Sequence, residues 1–224
     1  MKLLSISDDA KTKKGEKFGY LTGVLYMAPN SIGGPNVCPM ASPGCIESCL
    51  YSAGRGRFNN VQQARINRKL LYFDDRSYFY TKLRYEIETL IRDARQQDKL
   101  PALRLNGTSD LLPDGYLQIM RDYPDVLFYD YTKVFNRLYK KLPDNYHLTF
   151  SKSENNGDLC IKALHDGHNV AAVFAAKDLP KFWHSFPVID GDKSDTRFLD
   201  DKGVVVGLRA KGDARNDTSG FVIR

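Results

Sequence analysis

From residue 100 onward the chain alternates between strand-like and helix-like segments, and this alternation restricts the fold more than any other property. Stretches rich in β-branched and aromatic residues recur at PALRLNGTSD (101–110), DVLFYDYTK (125–133), YHLTFSKS (146–153), NVAAVFAAK (169–177), FPVIDGDKSD (186–195) and GVVVGLRAKG (203–212). Helical patterns lie between the first four: LPDGYLQIMRDY, VFNRLYKKL and DLCIKALHDG. Upstream stand another strand candidate, GYLTGVLYMAP (19–29), and a helical region from about Val61 to Asp98, broken near Asp74–Ser77. Such alternation predicts a parallel sheet with right-handed crossovers. Seven strands fit an incomplete barrel or a doubly wound open sheet. The expectation adopted is a single α/β domain over residues 1–224, an incomplete (β/α) barrel with mostly parallel strands.

At 25.4 kDa the chain buries a substantial core. No run approaches the ~20 consecutive apolar residues of a membrane span, so no membrane partner is expected. The start, MKLLSISDDA, has one lysine and a short apolar stretch before Asp8 and Asp9. It lacks the apolar centre and cleavage site of an export signal, which predicts a cytoplasmic protein.

Three of the four cysteines fall within twelve residues: Cys38, Cys45 and Cys49, spaced C-x6-C-x3-C in PNVCPMASPGCIESCLYSAGRGRF. In a reducing compartment, clustered cysteines point to a metal before a disulfide. Prolines 35, 39 and 43 and glycines 33, 34 and 44 make the segment, about residues 30–58, a loop. A helix starting near Cys45 would put Cys45 and Cys49 on one face. Structural zinc takes four ligands, its cysteines usually in C-x2–4-C pairs. Here no second pair exists, and His147, His165, His168 and His184 all lie far downstream. Zinc would therefore need a distant fourth ligand. An iron–sulfur cluster tolerates three cysteines by leaving one iron for another ligand, which favours [4Fe-4S] over [2Fe-2S]. Ordinary thiols are the third reading. Cys160, in the amphipathic pattern NNGDLCIKALHDG, reads as a buried helix residue.

The net charge of +6 is unevenly spread. Residues 1–100 hold 16 Lys/Arg against 10 Asp/Glu, and residues 101–224 hold 17 against 17. The excess sits at 51–84, in Arg55, Arg57, Arg65, Arg68, Lys69, Arg76, Lys82 and Arg84 against Asp74 and Asp75. Such a stripe steers an anionic small molecule or nucleic acid, or is simply a solvated helix face. Interleaved Tyr51, Phe58, Tyr72, Phe73, Tyr78 and Tyr80 suit base stacking or helix packing.

Parallel α/β folds gather ligands at the carboxyl ends of their strands. Polar residues fall there: Asn106, Thr108, Ser109 and Asp110; Asp130, Tyr131, Thr132 and Lys133; Ser151, Lys152 and Ser153; Lys177; Asp190, Asp192 and Asp195; Arg209 and Lys211. The cysteine loop follows the first strand and should open onto the same rim. No G-x-S-x-G elbow and no G-x4-G-K-[ST] phosphate loop is present.

A cysteine loop after strand one of a partial barrel resembles the layout of radical S-adenosylmethionine enzymes. In that family three cysteines hold a four-iron cluster whose free iron chelates S-adenosylmethionine. Their motif is C-x3-C-x2-C, against C-x6-C-x3-C here, and NGTSD (106–110) replaces their glycine-glycine-acid segment. A wider set of pieces, CPMASPGCIESC, GRGRF (54–58), QQARINRKLLYF (62–73), RLNGTSD, FYDYTK (128–133) and GLRAKG, resembles the gene-product-eighty-eight phage family, with its related iron–sulfur proteins of marine phages. That resemblance implies a cluster on Cys38, Cys45 and Cys49 and a location in the cytoplasm of an infected host cell. It supplies no reaction.

The first functional expectation is therefore a phage-encoded iron–sulfur protein with redox or radical chemistry at the strand rim. In it Asn106, Asp110, Lys133 and Lys152 face the cluster, and Arg55 and Arg57 bind an anionic cofactor group. The alternative is a nucleic-acid-binding protein with a structural zinc site, whose basic 51–84 segment contacts phosphates through Arg65, Arg68 and Lys69. A host-interaction protein with an inert cluster is the third.

Overall fold

The computed structural model describes residues 1–6 and 10–224; Asp8 and Asp9 lie outside the described residues. All seven expected strands form: β2 (Tyr20–Leu25), β3 (Leu100–Arg104), β4 (Leu127–Thr132), β5 (Tyr146–Ser151), β6 (Val170–Phe174), β8 (Phe186–Asp190) and β9 (Val205–Arg209). Three short ones join them: β1 (Leu4–Ile6), β7 (Phe182–Trp183) and β10 (Val222–Ile223). The order is β1-β2-β3-β4-β5-β6-β9-β8-β7, with β10 also on β6. Strands β2 to β6 therefore follow one another in chain order, all parallel. Only β1 on β2 and β7 on β8 run antiparallel. The β1 and β7 edges do not meet, so the sheet is open. The protein is one α/β domain, and no helix among the described residues is long and apolar enough to cross a membrane.

The helices are α1 (Ala10–Gly15), α2 (Pro43–Glu47), α3 (Asn59–Asp74), α4 (Arg76–Gln96), α5 (Asp114–Asp122) and α6 (Gly157–His165). Asp75 breaks the long helical region as expected: its extended backbone ends α3, and its carboxylate caps α4 by accepting from the Tyr78 N–H at 2.9 Å. VFNRLYKKL departs from expectation and forms only a 3-10 turn over Phe135–Tyr139, where Arg137 is drawn back onto Asp110.

One face of the sheet carries α4, α5 and α6. Leu21, Leu25, Leu103, Phe128 and Tyr146 pack with Leu83, Ile87 and Leu90 of α4 and Ile119 and Met120 of α5. Phe150, Val170, Ala172 and Val205 continue that layer onto Cys160, Ala163 and Leu164 of α6. Tyr146 and Phe150, four residues apart on β5, point the same way, so both clusters lie on one face. The opposite face is covered by α1 and the segment after β8, which meet where Lys14 donates to the Asp192 carbonyl. Phe198 packs edge-on against Tyr20 and Tyr129, and Asp195 meets Arg104 at 3.3 Å and the Tyr129 hydroxyl at 3.2 Å.

Candidate metal centre at the rim of the sheet

Residues 26–58 leave the carboxyl end of β2 as one loop, interrupted only by short turns and α2. Its first half is fastened to the end of β3. The Thr108 hydroxyl donates to the Met27 carbonyl at 2.6 Å, and the Asp110 N–H donates to the Val37 carbonyl at 2.8 Å. The 30–34 turn lies on α3 so closely that a Cβ on Gly33 (φ 67°) would stand 2.7 Å from Ile66. Ser42 opens the second half as the α2 cap, accepting from the Cys45 N–H at 3.3 Å. Its hydroxyl also donates to Glu154 at 2.6 Å, and the Gly44 N–H donates to the other Glu154 oxygen at 2.8 Å. Ser48 then reaches Asp217, which also accepts from the Val222 N–H. The loop thus lies across the rim from β3, past β5, to β10.

Glu154 is the clasp. Burial alone would raise its pKa, but the hydrogen bonds from Ser42 and Gly44 carry it below the ordinary value. Glu154→Ala is expected to cost about 1–2 kcal/mol locally. Amide exchange over residues 42–49 should quicken roughly tenfold while the sheet keeps its protection, and unchanged exchange would show that the clasp holds nothing.

All three loop cysteines are half-buried, whereas Cys160 is fully buried in α6 with its thiol pushed up to about 12, chiefly by burial. Helix α2 begins at Pro43, near Cys45 as expected, but stops at Glu47 because Ser48 turns toward Asp217. Cys49 therefore follows the helix in extended backbone and does not share its face with Cys45. Cys45 packs against Ala214, Phe221 and Val222. The Cys38 sulfur accepts from the Asn30 N–H at 3.3 Å, and a backbone hydrogen bond at Tyr51 supports Cys49. Burial pushes Cys38 up to about 11, and the fields of Cys49 and Cys45 add to it. Burial also raises Cys49, with Cys45 pushing the same way and Lys133 and Arg65 opposing. The fields of neighbouring thiols thus act on Cys38 and Cys49. Among the described residues, however, no three His, Cys, Asp or Glu side chains stand close enough to hold a single metal ion.

Lys82, Lys99, Lys162 and Lys211 each pair with a carboxylate. Among the described residues, no carboxylate is paired with Lys133, Lys152 or Lys69. Lys133 donates to the Ser151 hydroxyl at 3.2 Å and lies over the Phe221 ring. Lys152 donates to the Gly220 carbonyl at 2.6 Å, and Lys69 to the carbonyls of Asn30 and Ile32 at 2.7 and 3.0 Å.

The remaining site candidates divide. Asp110 joins the Lys133 N–H at 2.8 Å and the Arg137 guanidinium, beside the cysteine loop it holds. Asn106 does not face the cysteines. It is buried, and its amide is taken up by Leu111, Ser109 and Asp130. Arg55 and Arg57 are exposed on a 3-10 turn. The basic stripe is split: Arg65 is buried and stacks on Tyr26 at 4.8 Å, Lys69 is buried, Arg68 donates to the Lys2 and Tyr26 carbonyls and half-buried Arg84 pairs with Asp122, while Arg55, Arg57 and Arg76 are exposed. Replacing Arg65, Arg68 and Lys69 would loosen the loop and cannot serve as a clean test of phosphate contact. Of the interleaved aromatics, Tyr72 and Tyr80 pack with Phe79 and Tyr116, while Phe58 and Tyr78 are exposed. Sequence reasoning missed Glu154 and Asp217; each is an acid placed just past a strand end or just before a short one.

Asp130, behind Asn106, is pushed up to about 6 by burial, despite accepting from the Asn106 N–H and the Tyr146 hydroxyl. Its folded pKa thus exceeds the unfolded value, so between about pH 4 and 6 the native state holds a proton that the unfolded chain has lost. Stability through this group falls as pH rises across that window, by about 2–3 kcal/mol in all. Asp130→Asn should remove its share of the trend, leaving that of Asp200, which burial also pushes up to about 6, measured as urea unfolding at pH 4.5 and pH 7. Parallel pH profiles for the two proteins would contradict it.

No curated protein and no solved structure matches the chain. A family model described as gene product 88 matches residues 2–224. Since that match runs over nearly the full sequence, the chain belongs to the gene product 88 family.

Proposed function

We propose that residues 30–58 hold an iron–sulfur cluster, of the [4Fe-4S] kind, on Cys38, Cys45 and Cys49, and that the protein works by redox chemistry at this rim. The observation that carries the reading is the arrangement of the three thiols on one clasped loop. They are near enough that the fields of the neighbouring thiols help raise the pKa of Cys38 and of Cys49. A cluster spreads its thiolates wider than a single zinc does, and it suits sulfurs that accept backbone N–H bonds. When bound, it supplies one-electron transfer and leaves one iron for a ligand other than cysteine. The chain's own residues would then divide the work. Asn30 and Tyr51 amides steady the sulfurs, Lys133 and Arg65 place positive charge beside Cys49, and Asp110 and Glu154 fix the loop. The winding of β2 to β6 in chain order supports the finer expectation of an incomplete (β/α) barrel, in which the open end of the strands is the reaction face.

The test is anaerobic purification of the full chain with iron, sulfide and zinc analysis, followed by electron paramagnetic resonance before and after dithionite. The expected result is about four iron and four sulfide per chain and a reduction-dependent signal. About one zinc without sulfide would overturn the reading.

A further inference from the structure

Lys69 has no accessible surface, and no carboxylate among the described residues pairs with it. It projects from α3 beneath the 30–34 turn, where its Nζ caps the carbonyls of Asn30 and Ile32. A Cβ on Gly34 would lie 3.6 Å from its Cε, so the turn covers it directly. Buried ammonium groups are costly unless an opposite charge is near. Burial lowers the Lys69 pKa, and the field that opposes this comes from Cys38, whose sulfur also receives the Asn30 N–H. The same turn therefore delivers an amide dipole to Cys38 and roofs over a cation beside it. A neutral thiol gives this cation no counter-charge; an anionic centre on Cys38 does.

We infer that Lys69 is the buried counter-cation of the centre bound at Cys38, a positioning residue that sets that centre's redox potential through its charge. The inference rests on the cluster reading above. A positive charge held on the same turn that donates to Cys38 stabilises the more negative, reduced form, so its removal makes reduction harder. Hydrogen bonding and charge are separable by substitution. Lys69→Gln supplies neutral N–H donors for the turn, Lys69→Met supplies none, and Lys69→Arg keeps the charge.

The experiment is a dye-mediated reductive titration of the anaerobically purified full-length variants, after iron and sulfide have been measured in each. Lys69→Gln should retain wild-type iron and sulfide while its midpoint potential moves to a more negative value, and Lys69→Arg should stay near wild type. If Lys69→Met fails to fold, the Gln and Arg pair still decides the matter. A Lys69→Gln protein with full iron and an unshifted potential would overturn the inference and leave the cluster reading standing. Wild-type protein without iron and sulfide would overturn both.

Discussion

Cys38→Ala is expected to strip the anaerobically purified protein of its iron and sulfide, from about four of each per chain to essentially none. Cys45→Ala and Cys49→Ala should do the same, because three thiolates leave no spare ligand among them. Cys160→Ala is the control that gives the comparison its force. That residue is buried in α6 among Ala163, Leu164 and Phe150, and its loss opens a small cavity worth about 1 kcal/mol. Stability should therefore drop in the Cys160 variant while the metal stays. In the loop variants the sheet should remain folded, since its two larger core clusters contain none of the three thiols and only Cys45 packs against the small one at Ala214, Phe221 and Val222. Circular dichroism and metal analysis on the same samples check both halves. Iron retained at wild-type levels in Cys38→Ala would remove Cys38 from the ligand set.

The largest loss of stability without any change in metal is expected from Glu86→Ala. Glu86 is buried in the middle of α4, and its carboxylate accepts from the Leu3 N–H at 2.9 Å and the Leu4 N–H at 2.7 Å. Those two amides belong to an edge of the sheet that has no further strand to receive them, and both leucines are completely buried. Alanine would leave two buried donors without an acceptor and unseat β1 from α4. The cost should be about 3 kcal/mol, or roughly 6–12 °C in Tm. Glu86→Gln keeps one acceptor and should cost about half as much. A urea unfolding series across the three proteins measures this, and a Glu86→Ala midpoint within error of wild type would refute the tether.

Seven strands were legible because each carries enough β-branched or aromatic residues to show its character. The strands β1, β7 and β10 were not, since two or three residues show no periodicity. Clustering of the cysteines on a loop at the rim was also legible, from their spacing and the prolines between them. What holds the loop was not. Glu154, Asp217 and Thr108 act over long separations, and nothing near them in sequence announces their partners. Lys69 did leave a trace. Arg65, Lys69 and Tyr72 fall at the i, i+4, i+7 register of the buried side of α3. Two cations in core positions look like surface charge when counted in a stripe, and like interior charge when placed on the helix wheel.

The fastening of the loop also fixes the order in which the molecule can be finished on the ribosome. The clasp joins residues 110 positions apart, from Gly44 to Glu154, and the far anchor joins Ser48 to Asp217 across 169. At typical rates of translation, residues 38–49 emerge on the order of ten seconds before their partners exist. Throughout that interval the three thiols are displayed on an unclasped segment, open to oxidants and to metal carriers alike. On the proposed cluster reading, the newborn chain is then either loaded early, while the segment is open, or shielded until β10 pairs with β6.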